Sequence, residues 1–303
     1  ERRRVESVER MQPWTRTQSG EQRVPPHRRL FVEHERKVFF AKPDYWILCD
    51  RLLGSGRHRA ESLFHFQASA SARVEEGANI VETVNGDAGL TILSSWDTAP
   101  DVRIVRGQEE PLQGWVPAGW GHHRPSPTAV FAFDAELPIA ADTVLYPYPK
   151  DQAPRLSVER LEVVEGGASL AAWMAPGLCL QVDDLRDYFM VAHECRGLRT
   201  CGPLVSDAEV VHLRCDANGL PQQLTLLNGS YVEVAGRPLV DAEETFTTLE
   251  LMWSADLLEL RTHPGVGAWI WAGSARRLAI DDAAPCEIRP VDGLVAVFED
   301  WLD

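Results

Sequence analysis

The chain has 303 residues, 45% of them apolar, with ten tryptophans and 45 acidic against 30 basic side chains for a formal net charge of −15. This is the composition of a folded chain with a sizeable core, not of a disordered one. The charge excludes nucleic acid as a general partner, and no apolar run approaches the roughly 20 residues of a membrane helix.

Residues 1–29 are polar, charged and weakly patterned, and read as a strand remnant or an ordered arm. No apolar signal-peptide core precedes residue 37. The chain starts at Glu1 rather than Met, which leaves its location open. From Arg29 the pattern turns β-like. LFVEHERKVFFAK and YWILCDRL are apolar runs separated by the turn pair Pro43-Asp44. Gly54-Ser55-Gly56 makes a second turn, and HRAESLFHFQASASARV follows as a long strand. NIVETV and LTILSS flank Asn85-Gly86-Asp87 as a further hairpin. GWVPAGWGHHRPSPTAVFAF lacks a helical period and reads as a long Gly/Pro-rich loop entering a strand.

TVLYPYPKDQAP is the linker candidate and places a domain boundary near residue 152. Beyond it come short β-propensity runs, among them GLCLQVDD, DYFMVAHEC, AEVVHLRC, QQLTLLNGSYVEVAG and AWIWAG. Asn218-Gly219 and Asn228-Gly229 carry hairpin chemistry. No stretch sustains a capped amphipathic helix, and residues 243–260 are the least decided. The expected fold is all-β: an antiparallel β-sandwich over residues 1–152 and a second, smaller β domain over 153–303.

Asp50, His58 and His65 are the first candidates for chemistry. Side chains alternate faces along a strand. His58 and His65, seven apart, therefore point to opposite sides and do not share a metal. Asp50 reads as a strand-end carboxylate accepting N–H groups of the following glycine turn. His122 and His123 lie in the aromatic loop with Trp115 and Trp120, a pair suited to stacking on sugar rings or to packing over a sandwich end. His193 reads as a satisfied core histidine and His212 as exposed. None of the six cysteines forms a C-x-x-C pair, so no zinc ribbon is spelled out. Buried free thiols are expected, with one or two disulfides open if the protein is exported. No nucleophile elbow, zinc-protease helix, P-loop or dinucleotide fingerprint is present.

PPHRRLFVEHERKVFFAKPDYWILCDRLLGSGRHRAESLFHF, then GWVPAGWGHHRPSPTAVFAF and TVLYPYP, resemble in their order the C-terminal β region of the heparinase II/III-like polysaccharide lyases. The match covers residues 25–150; the remainder is similar only in general style. The resemblance implies a parent in which an N-terminal helical toroid precedes a central sandwich and a terminal β domain. It implies β-elimination on a uronate-containing, acidic polysaccharide such as alginate or a heparin-like glycosaminoglycan. It also implies a periplasmic or extracellular location and a structural zinc in the full-length parent. The family's His-x-His motif does not occur in this sequence. Neither catalytic nor metal-binding residues are therefore expected here, nor a cofactor, and the partner expected besides the polymer is the toroid. Asp50 and His65 correspond to scaffold in this comparison. Two alternatives stand beside it: a non-catalytic carbohydrate-binding or scaffold module using Trp115 and Trp120, and a self-sufficient enzyme using Asp50, His122 or His123.

Overall fold

The computed structural model describes residues 2–6, 31–75, 79–194, 197–263, 266–281 and 283–297. Among these there is no helix, and the chain divides into two compact units: residues 1–86 with 90–146, and residues 87–89 with 147–303. Most of the arm read from residues 1–29 lies outside the described residues.

The strands of the first unit are β1 (Arg2–Glu6), β2 (Phe31–Ala41), β3 (Tyr45–Leu53), β4 (Arg57–His65), β5 (Ser71–Val74) and β6 (Ile80–Asn85). They continue with β7 (Ala88–Trp96), β8 (Asp101–Val105), β9 (Trp115–Gly119), β10 (His122–Pro125), β11 (Thr128–Glu136) and β12 (Ile139–Pro149). A seven-stranded sheet runs β1-β2-β3-β12-β7-β6-β5, and a three-stranded sheet runs β4-β11-β8. The antiparallel β-sandwich is thus present.

Alternation explains how the two sheets meet. Ala129, Phe131, Phe133 and Ala135 occupy every second position of β11 and are buried. Phe131 packs with Val81 and Ile92 of the large sheet, and Phe133 with Leu137 and Ile139. Trp96 bridges both clusters, its ring edge-on to Phe133 at 5.1 Å and its indole N–H on Thr143 Oγ1 at 3.3 Å. In β4 the burial alternates strictly, with His58, Ala60, Ser62 and Phe64 turned inward and Arg59, Glu61, Leu63 and His65 outward. His58 and His65 therefore do lie on opposite faces.

The expected Gly/Pro-rich loop is not irregular. Residues Trp115–Gly119 and His122–Pro125 form a two-stranded hairpin of their own. Its tip is Gly119-Trp120-Gly121, with φ of +138° and +71° at the two glycines. Nothing lies within 4 Å of an added Cβ at either one, so conformation and not space calls for glycine there.

The second unit is a single 15-stranded sheet, antiparallel except where Leu257–His263 runs parallel to Arg277–Ile280. It takes up the longer stretch of chain. Its spine is the pairing of two long strands, Pro221–Val234 and Arg237–Trp253. Asn218-Gly219 sits in a tight connection, where Asp216 accepts the N–H groups of Asn218 and Leu220. Asn228-Gly229 does not turn the chain. It lies inside the strand Pro221–Val234, where Asn228 has φ +49° and the register shifts between Gly229 and Tyr231. A Cβ at Gly229 would come within 2.5 Å of Ala208 Cβ, so the glycine admits a neighbouring segment at a bulge. Residues 243–260 resolve into strand, with a turn at Ser254–Leu257.

Five described cysteines are free thiols; Cys49, Cys201 and Cys215 are buried and Cys286 is exposed. Burial pushes the Cys201 and Cys215 thiols up to about 12, so both stay protonated at neutral pH. Cys195 lies outside the described residues.

The core assignment has a direct check. Phe131 is fully buried while Trp120 is 99% exposed. Phe131→Ala is expected to lower unfolding free energy by about 3–5 kcal/mol in urea titration, and Trp120→Ala to change it by less than about 0.5 kcal/mol. Equal effects would contradict the sandwich packing.

Candidate functional site

Two places in the first unit gather chemistry-bearing side chains. The first is the β2–β3 hairpin. Asp50 is not at a strand end and does not cap the glycine turn. It lies within β3, buried, directly opposite Arg36 of β2. Arg36 donates from Nε to Oδ1 at 2.6 Å and from Nη2 to Oδ2 at 2.7 Å, a two-pronged contact. His34, two residues along β2 and therefore on the same face, brings Nε2 to 2.7 Å of Oδ1. Burial alone would raise the Asp50 pKa. The hydrogen bonds from His34 and Arg36 and the guanidinium charge outweigh it and hold the carboxyl below its ordinary value. Because an ionised carboxylate only accepts, the His34 nitrogen that faces Asp50 is the donor in this contact.

The opposite face of the same hairpin carries a second pair. Arg51 sits directly across from Glu35 and donates to it at 2.8 Å. Next to it, Asp142 of β12 lies across from Cys49; burial and then the charge of the Asp142 carboxylate raise the Cys49 pKa.

The second place is the β9–β10 hairpin. Trp115 is half-buried at its base, with its indole N–H on the carbonyl of Gln108 at 2.8 Å. His123 meets it edge-on at 4.8 Å. His122, His123 and Arg124 are exposed. Trp120 stands free of the fold at the tip. The structure does not set Trp115 and Trp120 side by side: one is anchored at the base and the other projects.

The remaining candidates are dispersed. His58 Nε2 contacts the Ser55 carbonyl at 3.1 Å, and His65 Nδ1 contacts Thr128 Oγ1 at 3.1 Å. His193 follows its strand, which ends at Val191, and is half-buried with its backbone N–H on the Met174 carbonyl. His212 is not exposed but fully buried. It lies 3.4 Å from Asp187, which also takes a two-pronged contact from Arg214. Among the described residues no three His, Cys, Asp or Glu side chains are grouped to hold a metal ion. Asp50 does not fit a zinc ligand in this arrangement, because both of its oxygens face a guanidinium.

These features sit in a recognisable frame. The family model described as heparinase II/III-like, C-terminal matches residues 3–159. The chain belongs to that family. Its first unit is thus a polysaccharide lyase-related β domain. No curated protein matches the chain. Solved structures similar to it include heparinase III, the BT4657 gene product, at 13% identity and TM-score 0.41, covering 61% of this chain and 24% of that one. Another heparinase III has 13% identity and TM-score 0.42, covering 54% of this chain and 25% of that one. The chain spans about a quarter of the length of these structures.

The sequence reading missed His34, Arg36, Asp187 and Arg214 as partners. The first two were within reach of it: a hairpin turning at Pro43-Asp44 sets Arg36 against Asp50 by counting outward.

The two Asp–Arg–His groups differ in exposure, and this sets the expected cost of breaking each. Arg36 is 41% exposed and Arg214 only 11%. Asp187→Asn strands a buried guanidinium and is expected to cost about 3–5 kcal/mol. After Asp50→Asn, Arg36 turns to water, and the expected cost is about 1–3 kcal/mol. Both carboxyls have folded pKa values below their unfolded ones. Their stabilisation is therefore complete above the unfolded carboxylate value of about 3.9 and is lost as pH falls through the folded value. Urea titrations between pH 7 and pH 2 should show each variant with a shallower acid loss than the parent chain. An unchanged acid slope would contradict the ion pairing.

Proposed function

We propose that this chain is the β portion of a polysaccharide lyase that cleaves a uronate-containing, acidic polymer by β-elimination. In this reading it buttresses a helical toroid of the same polypeptide, helps to wall the substrate cleft, and is inactive alone. The parent works outside the cytoplasm on alginate or a heparin-like glycosaminoglycan. The single observation that carries the reading is the family match over residues 3–159.

The chemistry supports a division of labour. β-Elimination removes the proton at C5 of the uronate, which is acidic only because it lies α to the carboxylate. A base must meet that proton while a neutralising group meets the developing enolate. In the first unit the groups chemically able to serve are already engaged or dispersed. Arg36 and His34 are turned onto Asp50, and His122 and His123 stand on an exposed hairpin. A scaffold that orients a base and a neutraliser supplied by the toroid fits this arrangement better than a complete site does. A second reading, a carbohydrate-binding module without a catalytic parent, is favoured by the projecting Trp120.

The test is ultraviolet absorbance of the unsaturated uronate product, with alginate, heparin and polygalacturonate as substrates. The expected result is no product from this chain and product from the polypeptide that carries the toroid. Turnover by this chain alone would overturn its inactivity and return attention to His34, Asp50, His122 and His123. A toroid-bearing parent silent on every uronate polymer would overturn the lyase reading.

A further inference from the structure

The β9–β10 hairpin combines three features that nothing in the sandwich requires. The first is the placement of Trp120. An indole is large and mostly apolar, and in folded chains it is usually well covered. Here it is 99% exposed, on a tip held by two glycines at positive φ. The second is the stiffness beneath it. Trp115 is fastened through its N–H to the Gln108 carbonyl, and Gln108 and Gln113 exchange backbone hydrogen bonds at 2.9 and 3.0 Å. The His123 ring closes on Trp115 from the other strand. The tip is thus presented on a braced support.

The third feature is charge. In a chain of 45 acidic residues and net charge −15, residues 111–133 contain no Asp or Glu. Within that stretch Arg124 and the two histidines are exposed on β10. Arg124 lies directly across from Val116, and no carboxylate stands opposite it on the hairpin. Elsewhere in the first unit exposed arginines are commonly met by carboxylates across a strand or turn, as Arg57 is by Asp134 and Arg73 by Glu82. The hairpin strands carry no negative charge, the adjoining carboxylates being Glu109 and Glu110 in the bracing loop at the base, so a polyanion can approach the tip of an otherwise acidic protein.

We propose that this hairpin is a contact arm for the acidic polysaccharide, with the Trp120 face stacked on a sugar ring and Arg124 pairing with a carboxylate or sulfate of the polymer. The inference rests on the lyase reading for the identity of the polymer. It differs from the expected Trp115–Trp120 platform: Trp115 is the brace, and Arg124 is the second contact. Planar indole faces suit the apolar face of a pyranose, and a guanidinium suits a planar oxyanion. The two contacts scale differently with salt, because stacking is insensitive to ionic strength and an exposed ion pair is screened.

The experiment is calorimetric titration of the full chain with heparin and alginate oligosaccharides at two salt concentrations, and with a neutral glucan of equal length. The unaltered chain is expected to bind the acidic oligosaccharides and not the glucan. Trp120→Ala should weaken binding about tenfold, as truncation of an aromatic anchor does, and leave the salt dependence unchanged. Trp120→Phe should retain most of the affinity. Arg124→Ala should weaken binding and flatten the salt dependence. All three should melt like the unaltered chain. Absence of binding, equal binding of the neutral glucan, or undiminished affinity in Trp120→Ala would overturn the proposal. Undiminished affinity with a lowered melting temperature of the toroid-bearing polypeptide would make Trp120 a packing residue between domains instead. The ultraviolet product of that polypeptide reports on the lyase reading separately, so either can fail while the other stands.

Discussion

The register of the β2–β3 hairpin is the constraint on which the first unit depends. Arg36 opposite Asp50 and Glu35 opposite Arg51 are consecutive cross-strand pairs of opposite sense, one on each face. A slip of one residue would carry each charge to the other face. A slip of two would set Arg36 against Leu48 or Leu52 and leave Asp50 buried without its guanidinium, which costs several kcal/mol. Since β3 also pairs with β12, the same pairs fix which residues of β12 face the core. That in turn decides where β11 meets the large sheet, and β11 follows directly on the β9–β10 hairpin.

The second unit repeats the device. There His212 and Arg214 share a face of one strand, and Asp187 of the neighbouring strand lies directly opposite the arginine. In both units a His-x-Arg stretch clasps one aspartate, with the histidine one step along the diagonal. The difference is solvent. The second group is almost wholly buried and so acts as an internal fastener. In the first, His34 and Arg36 reach the surface, which makes it the one of the two that a ligand can meet. The shared geometry is a reason to read the pairing as structural first, even where it borders a site.

Much of the fold was legible because it follows from period and punctuation. Alternation in HRAESLFHF predicts the two-faced burial of β4, and Pro43-Asp44 and Asn218-Gly219 fall in turns. What was not legible depends on distant neighbours. Asn228-Gly229 has hairpin chemistry, yet Ala208 pressing on Gly229 makes it a bulge. His212 looked exposed because its own strand carries an arginine two residues on. Only the pairing with Asp187, 25 residues away in sequence, explains its burial. Asp50 was placed at a strand end because the turn after it was obvious and the arginine before the previous turn was not counted back. The stretch GWVPAGWGHHRPSP reads as loop from its glycines, prolines and missing helical period, signals that do not separate a loop from a short hairpin. A two-stranded hairpin is all edge, and accepts prolines.

Function enters at the rim of this frame. The family makes the first unit a polysaccharide lyase-related β domain, and the β9–β10 hairpin gives that unit a braced aromatic tip on strands that carry no acid. The most direct measurement is backbone hydrogen exchange of the chain with and without a saturating uronate oligosaccharide. The account predicts slowed exchange confined to residues 115–125, with β2 and β3 unchanged. Slowing centred on residues 34–50, with the hairpin unaffected, would contradict it.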